Sequence, residues 1–382
     1  MTPSDVRDFN RRTVVAEVLR QQPTASRASI SRATGLTATT VSGVVAPLLE
    51  SGLVNEVRGE STGGKPPMAL VWNNEARQII ALDVSGSTGA VIDFRGRILV
   101  HRSWPEGHGR GRTALRRLVE RSTELANLAS KPVLALGIAV PGVVQPDGVV
   151  TDSIALDWHH EMVGEPIRRR LGIPVQIIND TQSCALGEYW TEGAGATNFA
   201  TVRIGEGVGA GIVLGERLFR GSGSSAGEIG HLVLDPEGDR CGCGNFGCVE
   251  TILAEPRLVE RLVGVEPSLS EVLGEGPARL FAAAAERSRS ATALRKEIES
   301  IGADLGTAIA PLIVLLDIER ITIGGAVTNL GPVLLDTAIT TARRSALPSL
   351  ARRVDIRYSE LGAHDALIGA AGAVFHSSFG TL

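Results

Sequence analysis

Four side chains with metal-ligand chemistry lie close together in GHLVLDPEGDRCGCGNFGC: His231, Cys241, Cys243 and Cys248. The spacing is H-x9-C-x-C-x4-C, and the interleaved Gly242, Gly244 and Gly247 let the backbone wrap a small ion. Three thiolates and an imidazole fill a tetrahedral Zn²⁺ shell and leave no open position, which is the structural kind of zinc site. The alternative is three free buried cysteines. Clustered thiols in a reducing compartment point to metal before disulfide. Cys184, the fourth cysteine, sits among apolar helical positions and reads as core. One structural zinc per chain is therefore expected.

Around this knot stand groups able to hold hydroxyls. Asn179 and Asp180 end the apolar run VQII, and a carboxylate at a strand's C-terminal end can act as a base towards a hydroxyl. Asn-Asp is equally ordinary turn chemistry. Glu228 lies three residues before His231, and Glu250 two after Cys248, so the knot would order both. Three carboxylates and an amide converging on one cleft suit a polyhydroxylated ligand such as a sugar. Two turn-rich segments, Asp83–Thr88 and Gly205–Gly211, offer backbone N–H groups that could cradle phosphates. Tight hairpins use the same residues.

These residues need a frame. The 382-residue chain is too long for one ordinary domain, and its 43% apolar and 21% charged residues are those of a globular protein with ample core. From Gln78 onward, strands (QIIALDV, TGAVIDF, RILVHRS, VLALGIAV, VQIIN, NFATVRI, VGAGIVL, RITIGG) alternate with helices, near 112–129 and 165–171 among others. Two β-meander halves, each closed by helices, give a two-lobed α/β body with a cleft where strand ends meet. RITIGG is expected to be the last strand.

The N-terminal 74 residues differ. They carry 8 Lys/Arg against 6 Asp/Glu, whereas the whole chain has 38 against 42 and a net charge of -4. Residues 4–22 form an amphipathic helix with Val6, Phe9, Val14, Val18 and Leu19 on one stripe. A short helix capped by Ser26, a turn at Gly35 and a third helix capped by Thr37 make helix-turn-helix organisation, followed by a β-hairpin or wing. Thr37, Thr39, Thr40 and Ser42 would enter the major groove, and Arg58 and Lys65 would reach phosphates or the minor groove. A three-helix protein-interaction domain is the alternative. Pro47 is expected to kink the third helix at a cost of about 3 kcal/mol, beyond its base-reading half. No stretch approaches 18 uninterrupted apolar residues and the N-terminus is polar, so no membrane partner and a cytoplasmic location are expected.

With GEIGH, CGCGNFGCVE, IINDTQSCALGE and IGGAV in place, the chain resembles the ROK family of bacterial repressors, open reading frames and sugar kinases. The likeness covers nearly the whole chain, and the winged head ending in GGKPP resembles the repressor branch. It implies an actin-like ATPase, ribonuclease H-like body over residues 75–382 behind a winged helix-turn-helix over 1–74. The smaller lobe would span about 75–180 plus the C-terminal helix, and the larger about 181–361. It implies that Asn179, Asp180, Glu228, His231 and Glu250 contact a sugar, that Asp180 is the base in kinase members, and that His231, Cys241, Cys243 and Cys248 bind zinc. Two departures stand out. The first phosphate loop reads Asp83-Val84-Ser85-Gly86-Ser87 where kinase members have Asp-x-Gly-Gly-Thr, and the second reads Gly205-Glu206-Gly207 in place of Gly-Thr-Gly. A carboxylate about 4 Å from a phosphate charge costs about 4 kcal/mol at an effective dielectric near 20. The expectation is a non-catalytic, sugar-responsive repressor binding double-stranded operator DNA as a homodimer or dimer of dimers. An ATP-dependent sugar kinase that also binds DNA, and a zinc sensor with no sugar, are the alternatives.

Overall fold

A computed structural model of the chain describes residues 3–58, 68–192 and 197–380. In the head, α1 (Pro3–Gln21), α2 (Arg27–Thr34) and α3 (Ala38–Glu50) pack Val14, Val15, Val18, Ile30, Val41 and Val45 into one core, all at 0% exposure. Ser26 and Ser29 close a reciprocal capping box at the start of α2, and Gly35, at φ 71°, ends it in the left-handed region. The Thr37 hydroxyl accepts the Thr40 N–H at 3.2 Å and caps α3. Val6 and Phe9, expected on the inward stripe, are instead exposed, because the head's core covers only the second half of α1. The third helix runs on through Pro47 to Glu50. Pro47 and Gly43 are both exposed, so the carbonyl that loses its helical partner faces water.

A hairpin follows, β1 (Val54–Arg58) antiparallel to β2 (Met68–Trp72). Its tip, with Lys65, lies outside the described residues.

The body holds two five-stranded sheets wired alike. In the first, β3 (Gln78–Asp83), β4 (Thr88–Ile92) and β5 (Ile98–Ser103) form an antiparallel meander. Helix α4 (Gly111–Leu128) leads to β6 (Val133–Val140), parallel to β3. A small sheet of β7 (Val143–Val144), β8 (Val150–Ser153) and β9 (Trp158–Glu161) and the helix α5 (Gly164–Leu171) precede β10 (Val175–Asn179), parallel to β6. Helix α6 (Asp180–Glu192) begins at once. In the second sheet, β11 (Phe199–Ile204), β12 (Val208–Leu214) and β13 (Arg217–Leu218) form the meander. Four helices follow: α7 (Val249–Leu253), α8 (Glu255–Val265), α9 (Pro277–Arg287) and α10 (Thr292–Leu316). Then β14 (Arg320–Gly324) lies parallel to β11. Helices α11 (Pro332–Arg344) and α12 (Pro348–Ala351) precede β15 (Asp355–Tyr358), which pairs parallel with β14. The last strand is thus DIRY and not RITIGG, since β14 needs a neighbour on its open edge. Helix α10 is long and apolar enough to cross a membrane by composition, but Leu294, Ile298, Ile301, Leu305, Ile309 and Ile313 are all fully buried in the second lobe's core.

The C-terminal helix α13 (Asp365–Phe379) joins these parts. It lies on β3, β6 and β10 of the first sheet and packs along α6, which lies on β11 and β12 of the second. The crossing is tight: a Cβ on Gly369 would stand 1.7 Å from the Ser183 carbonyl oxygen. At its far end Phe375 and Phe379 meet Trp72 of β2 with ring centroids 5.9 and 4.9 Å apart, and Phe94 completes the group. Head core and first-sheet core are continuous through this seam.

Candidate functional site: an interlobe cleft beside a thiol knot

The cleft between the sheets has a volume of about 680 Å³. Asn179, Asp180, Glu228, His231 and Glu250 all line it, together with Ser85, Gly86, Arg203, Glu206, Cys243 and Glu255. The topology explains this: β3, β10 and β11 all end at the cleft, and α6 starts there.

Asn179 is fixed at both ends of its amide. Its Nδ2 donates to the Gly142 carbonyl at 3.0 Å, and its Oδ1 accepts from Gln182 N at 3.0 Å and from the Thr181 hydroxyl at 2.7 Å. It caps α6 and so aims Asp180. The Asp180 carboxylate accepts from Thr181 N through Oδ1 at 2.9 Å and from the Ser85 hydroxyl through Oδ2 at 3.0 Å. Ser85, one departure from the kinase pattern, is therefore a direct partner of the carboxylate that kinase members would use as base. Burial raises the Asp180 carboxyl above its ordinary range, nearby Arg203 opposes this, and Asp83 adds to it.

Glu228 starts the 3-10 turn Ile229–His231. Burial raises its carboxyl, His231 lowers it, and Asp180 and Glu250 raise it further, so these groups feel one another's charge. Glu250 stands in the first turn of α7, where its Oε2 accepts from Val208 N at 3.3 Å. A Cβ on Gly207 would sit 2.7 Å from that oxygen, so the glycine admits the carboxylate. Beside the same turn, burial raises the Glu255 carboxyl, exposed Glu206 raises it again and Arg203 lowers it.

The knot brings together one ligand atom each of His231, Cys241, Cys243 and Cys248, all within 4.8 Å of one another. Cys241 Sγ is 3.6 Å from His231 Nδ1, and Cys243 Sγ is 3.8 Å from Cys248 Sγ. Zinc bonds of about 2.3 Å to sulfur and about 2.0–2.1 Å to nitrogen give tetrahedral edges of about 3.6 Å for N···S and about 3.8 Å for S···S. The donor set fits zinc in type, and these two edges fit it in spacing. Burial and the adjoining Cys243 and Cys241 thiols push the Cys248 thiol up to about 12, a repulsion that a cation would remove. Because Nδ1 faces the thiols, His231 keeps Nε2 for the cleft.

Three residues were missed by sequence reasoning: Glu255 of the cleft lining, Arg203 and Asp365. Arg203 sits near the end of β11 with Nη2 3.1 Å from Asp83 Oδ2, Nη1 3.7 Å from Asp180 Oδ2 and Nε 3.9 Å from Asp365 Oδ1. Those carboxylates hold its guanidinium charged against the cost of burial. The available signal was an arginine within the apolar strand FATVRI just before a Gly-rich turn. Asp365, 1% exposed at the start of α13, left no comparable signal.

The DNA-facing candidates lie apart from the cleft. Thr37 and Thr39 are exposed and Thr40 and Ser42 half-buried at the start of α3; Arg58 is exposed at the end of β1.

A family model described as "ROK family" matches residues 80–376. A xylose repressor of Caldicellulosiruptor bescii is 31% identical over 328 residues, which cover 81% of this chain and 82% of that protein. The crystal structure of a ROK family transcriptional regulator, a homolog of the E. coli MLC protein, superposes with TM-score 0.81 at 24% identity and covers 97% of both chains. A ROK family glucokinase from Streptomyces griseus, in complex with glucose and AMPPNP, matches at TM-score 0.68 and 26% identity and covers 78% of this chain and 98% of that one. A transcriptional-regulator structure aligned across head and body and a glucokinase aligned to little more than the body fit the layout described above: the chain belongs to the ROK family, as a winged head on an actin-like sugar-kinase body.

Proposed function

We propose that this protein is a sugar-responsive transcriptional repressor. The observation that carries the reading is the continuous core between a head with an exposed hydroxylic helix start and a body with a carboxylate-lined cleft. In this reading Thr37, Thr39, Thr40 and Ser42 read operator bases, with Arg58 and Lys65 on the backbone. Asn179, Asp180, Glu228, His231 and Glu250 hold the sugar hydroxyls. Paired acceptors of this kind discriminate hydroxyl geometry because an unmatched buried group is costly. Zinc, one ion per chain on His231, Cys241, Cys243 and Cys248, has a structural role: it fixes the loop that presents Glu228, His231 and Glu250. A single winged head gives a small interface, so the working unit is a homodimer or a dimer of dimers in the cytoplasm, reading two half-sites. Sugar binding weakens the grip on DNA.

The body is not a kinase in this reading. Ser85 and Arg203 occupy Asp180, while Glu206 and Glu255 face the place where phosphates would lie. Likeness to the glucokinase favours the second reading, an ATP-dependent sugar kinase that also binds DNA. The deciding experiment titrates the protein against a duplex selected from random-sequence DNA, with and without xylose, glucose and other aldoses. A sugar-dependent change in affinity supports the repressor. Failure to select any duplex, or steady sugar phosphorylation by the unaltered chain, overturns it.

A further inference from the structure

Arg203 binds its three carboxylates unequally. Asp83, at the end of β3, is within hydrogen-bond distance at 3.1 Å, whereas Asp180 and Asp365 stand at 3.7 and 3.9 Å. The guanidinium is thus anchored on the first lobe and shared between two competitors. Arg203 Nη1 and Asp365 Oδ2 are both buried and make no hydrogen bond. With Asp83 Oδ1, also buried and without a hydrogen bond, one donor and two acceptors are therefore left over in this cluster. Asp180 belongs to the cleft; Asp365 begins α13. That helix of 15 residues is roughly 20 Å long, and its other end holds Phe375 and Phe379 against Trp72 of the hairpin. Near the same end, Arg11 of α1 donates to the Ser378 carbonyl at 2.7 Å. One rigid helix therefore touches the ion cluster at its first residue and the head at its last turn.

We propose that Arg203 is the positioning residue that couples cleft occupancy to the head. A sugar hydroxyl that donates to Asp180 draws this carboxylate away from Arg203. The guanidinium, still anchored on Asp83, then closes on Asp365 and pulls the start of α13, and the Trp72 seam carries the displacement into the head. The two arrangements are discrete, Arg203 shared with Asp180 or committed to Asp365, as a two-state coupling element requires. This inference rests on the repressor reading and adds the route by which the same site acts.

The test uses the full chain, the selected duplex, and D-xylose and D-glucose as probes. In the parent, the effective sugar should weaken DNA binding about 5–150-fold, the ordinary range for coupled sites. Asp365→Asn keeps the side-chain shape. It should bind sugar by calorimetry, and DNA without sugar, within about threefold of the parent, while its sugar response falls below about twofold. Preserved affinities with lost coupling would not follow from a merely structural role. A variant that responds like the parent overturns the proposal and leaves the repressor reading standing. A parent that binds DNA but never responds to sugar overturns that reading, and this inference with it. Should Asp365→Asn fail to fold, hydrogen exchange of the parent decides. Altered protection in the last turn of α13 and in Met68–Trp72 on adding sugar supports the route, and unchanged protection there overturns it.

Discussion

Replacing Trp72 by alanine should undock the head while leaving the body folded. Trp72 is 2% exposed and packs on Phe94, Phe375 and Phe379 with centroids 5.9, 5.9 and 4.9 Å away. Burying an indole of about 200 Å² at about 25 cal/mol per Å² is worth about 5 kcal/mol, within the range found for large aromatic truncations. Against this, the Trp72 Nε1–H is buried with no hydrogen-bond partner among the described residues, and removing it relieves about 1–3 kcal/mol. The net loss is about 3 kcal/mol, or roughly a hundredfold in the population of the undocked hairpin. A multi-domain chain has no single unfolding free energy, so the assay must be local. Hydrogen exchange should accelerate about a hundredfold at Leu70, Trp72 and the last turn of α13, and stay constant at Ile138 and Ala139 of β6. Trp72→Phe, which keeps one ring and loses the orphaned donor, should recover most of the protection. Equal acceleration in β6, or no change in β2, would refute the seam as the docking contact.

Metal analysis of the purified protein should find one zinc per chain. Cys243→Ser should lose the metal and weaken sugar binding together, because Glu228, His231 and Glu250 share its loop. Burial lowers the His376 imidazole on α13 from its usual 6.5 to about 4. With the folded value below the unfolded one, its contribution to stability is present above about pH 6.5 and lost as pH falls towards 4. The loss approaches about 3 kcal/mol, measurable as a falling denaturation midpoint across that window. Coupled assays with ATP and common aldoses should detect no phosphorylation above background. Glu206→Thr with Ser85→Gly is the combination expected to raise it.

The thiol knot was legible because its ligands fall within 18 residues and few other chemistries use three cysteines at that spacing. The caps at Ser26 and Thr37 were legible because capping is local. The Arg203 cluster was not. Its members are 120 positions apart for Asp83 and 162 for Asp365, and each is an ordinary residue until strand order brings them together. The small sheet from Val143 to Glu161 was also hidden, since its strands are only two to four residues long and broken by turn residues. Val6 and Phe9 show the converse limit: periodicity marks the apolar face of a helix but not how far a neighbour covers it. Strand β15 was overlooked for a related reason, since Asp355 and Arg357 hide a four-residue edge strand whose pairing is set by β14.

The contact between Arg11 and Ser378 joins residues 367 positions apart, and the Trp72 seam joins the hairpin to the final helix. A ribosome adding roughly 5–20 residues per second makes α13 after the head, with an interval on the order of 15–60 s between them. Throughout that time the helix-turn-helix exists without its dock. The protein therefore acquires a head tied to its sensor only once α13 has emerged, and a chain interrupted before α13 carries a head with nothing to report to.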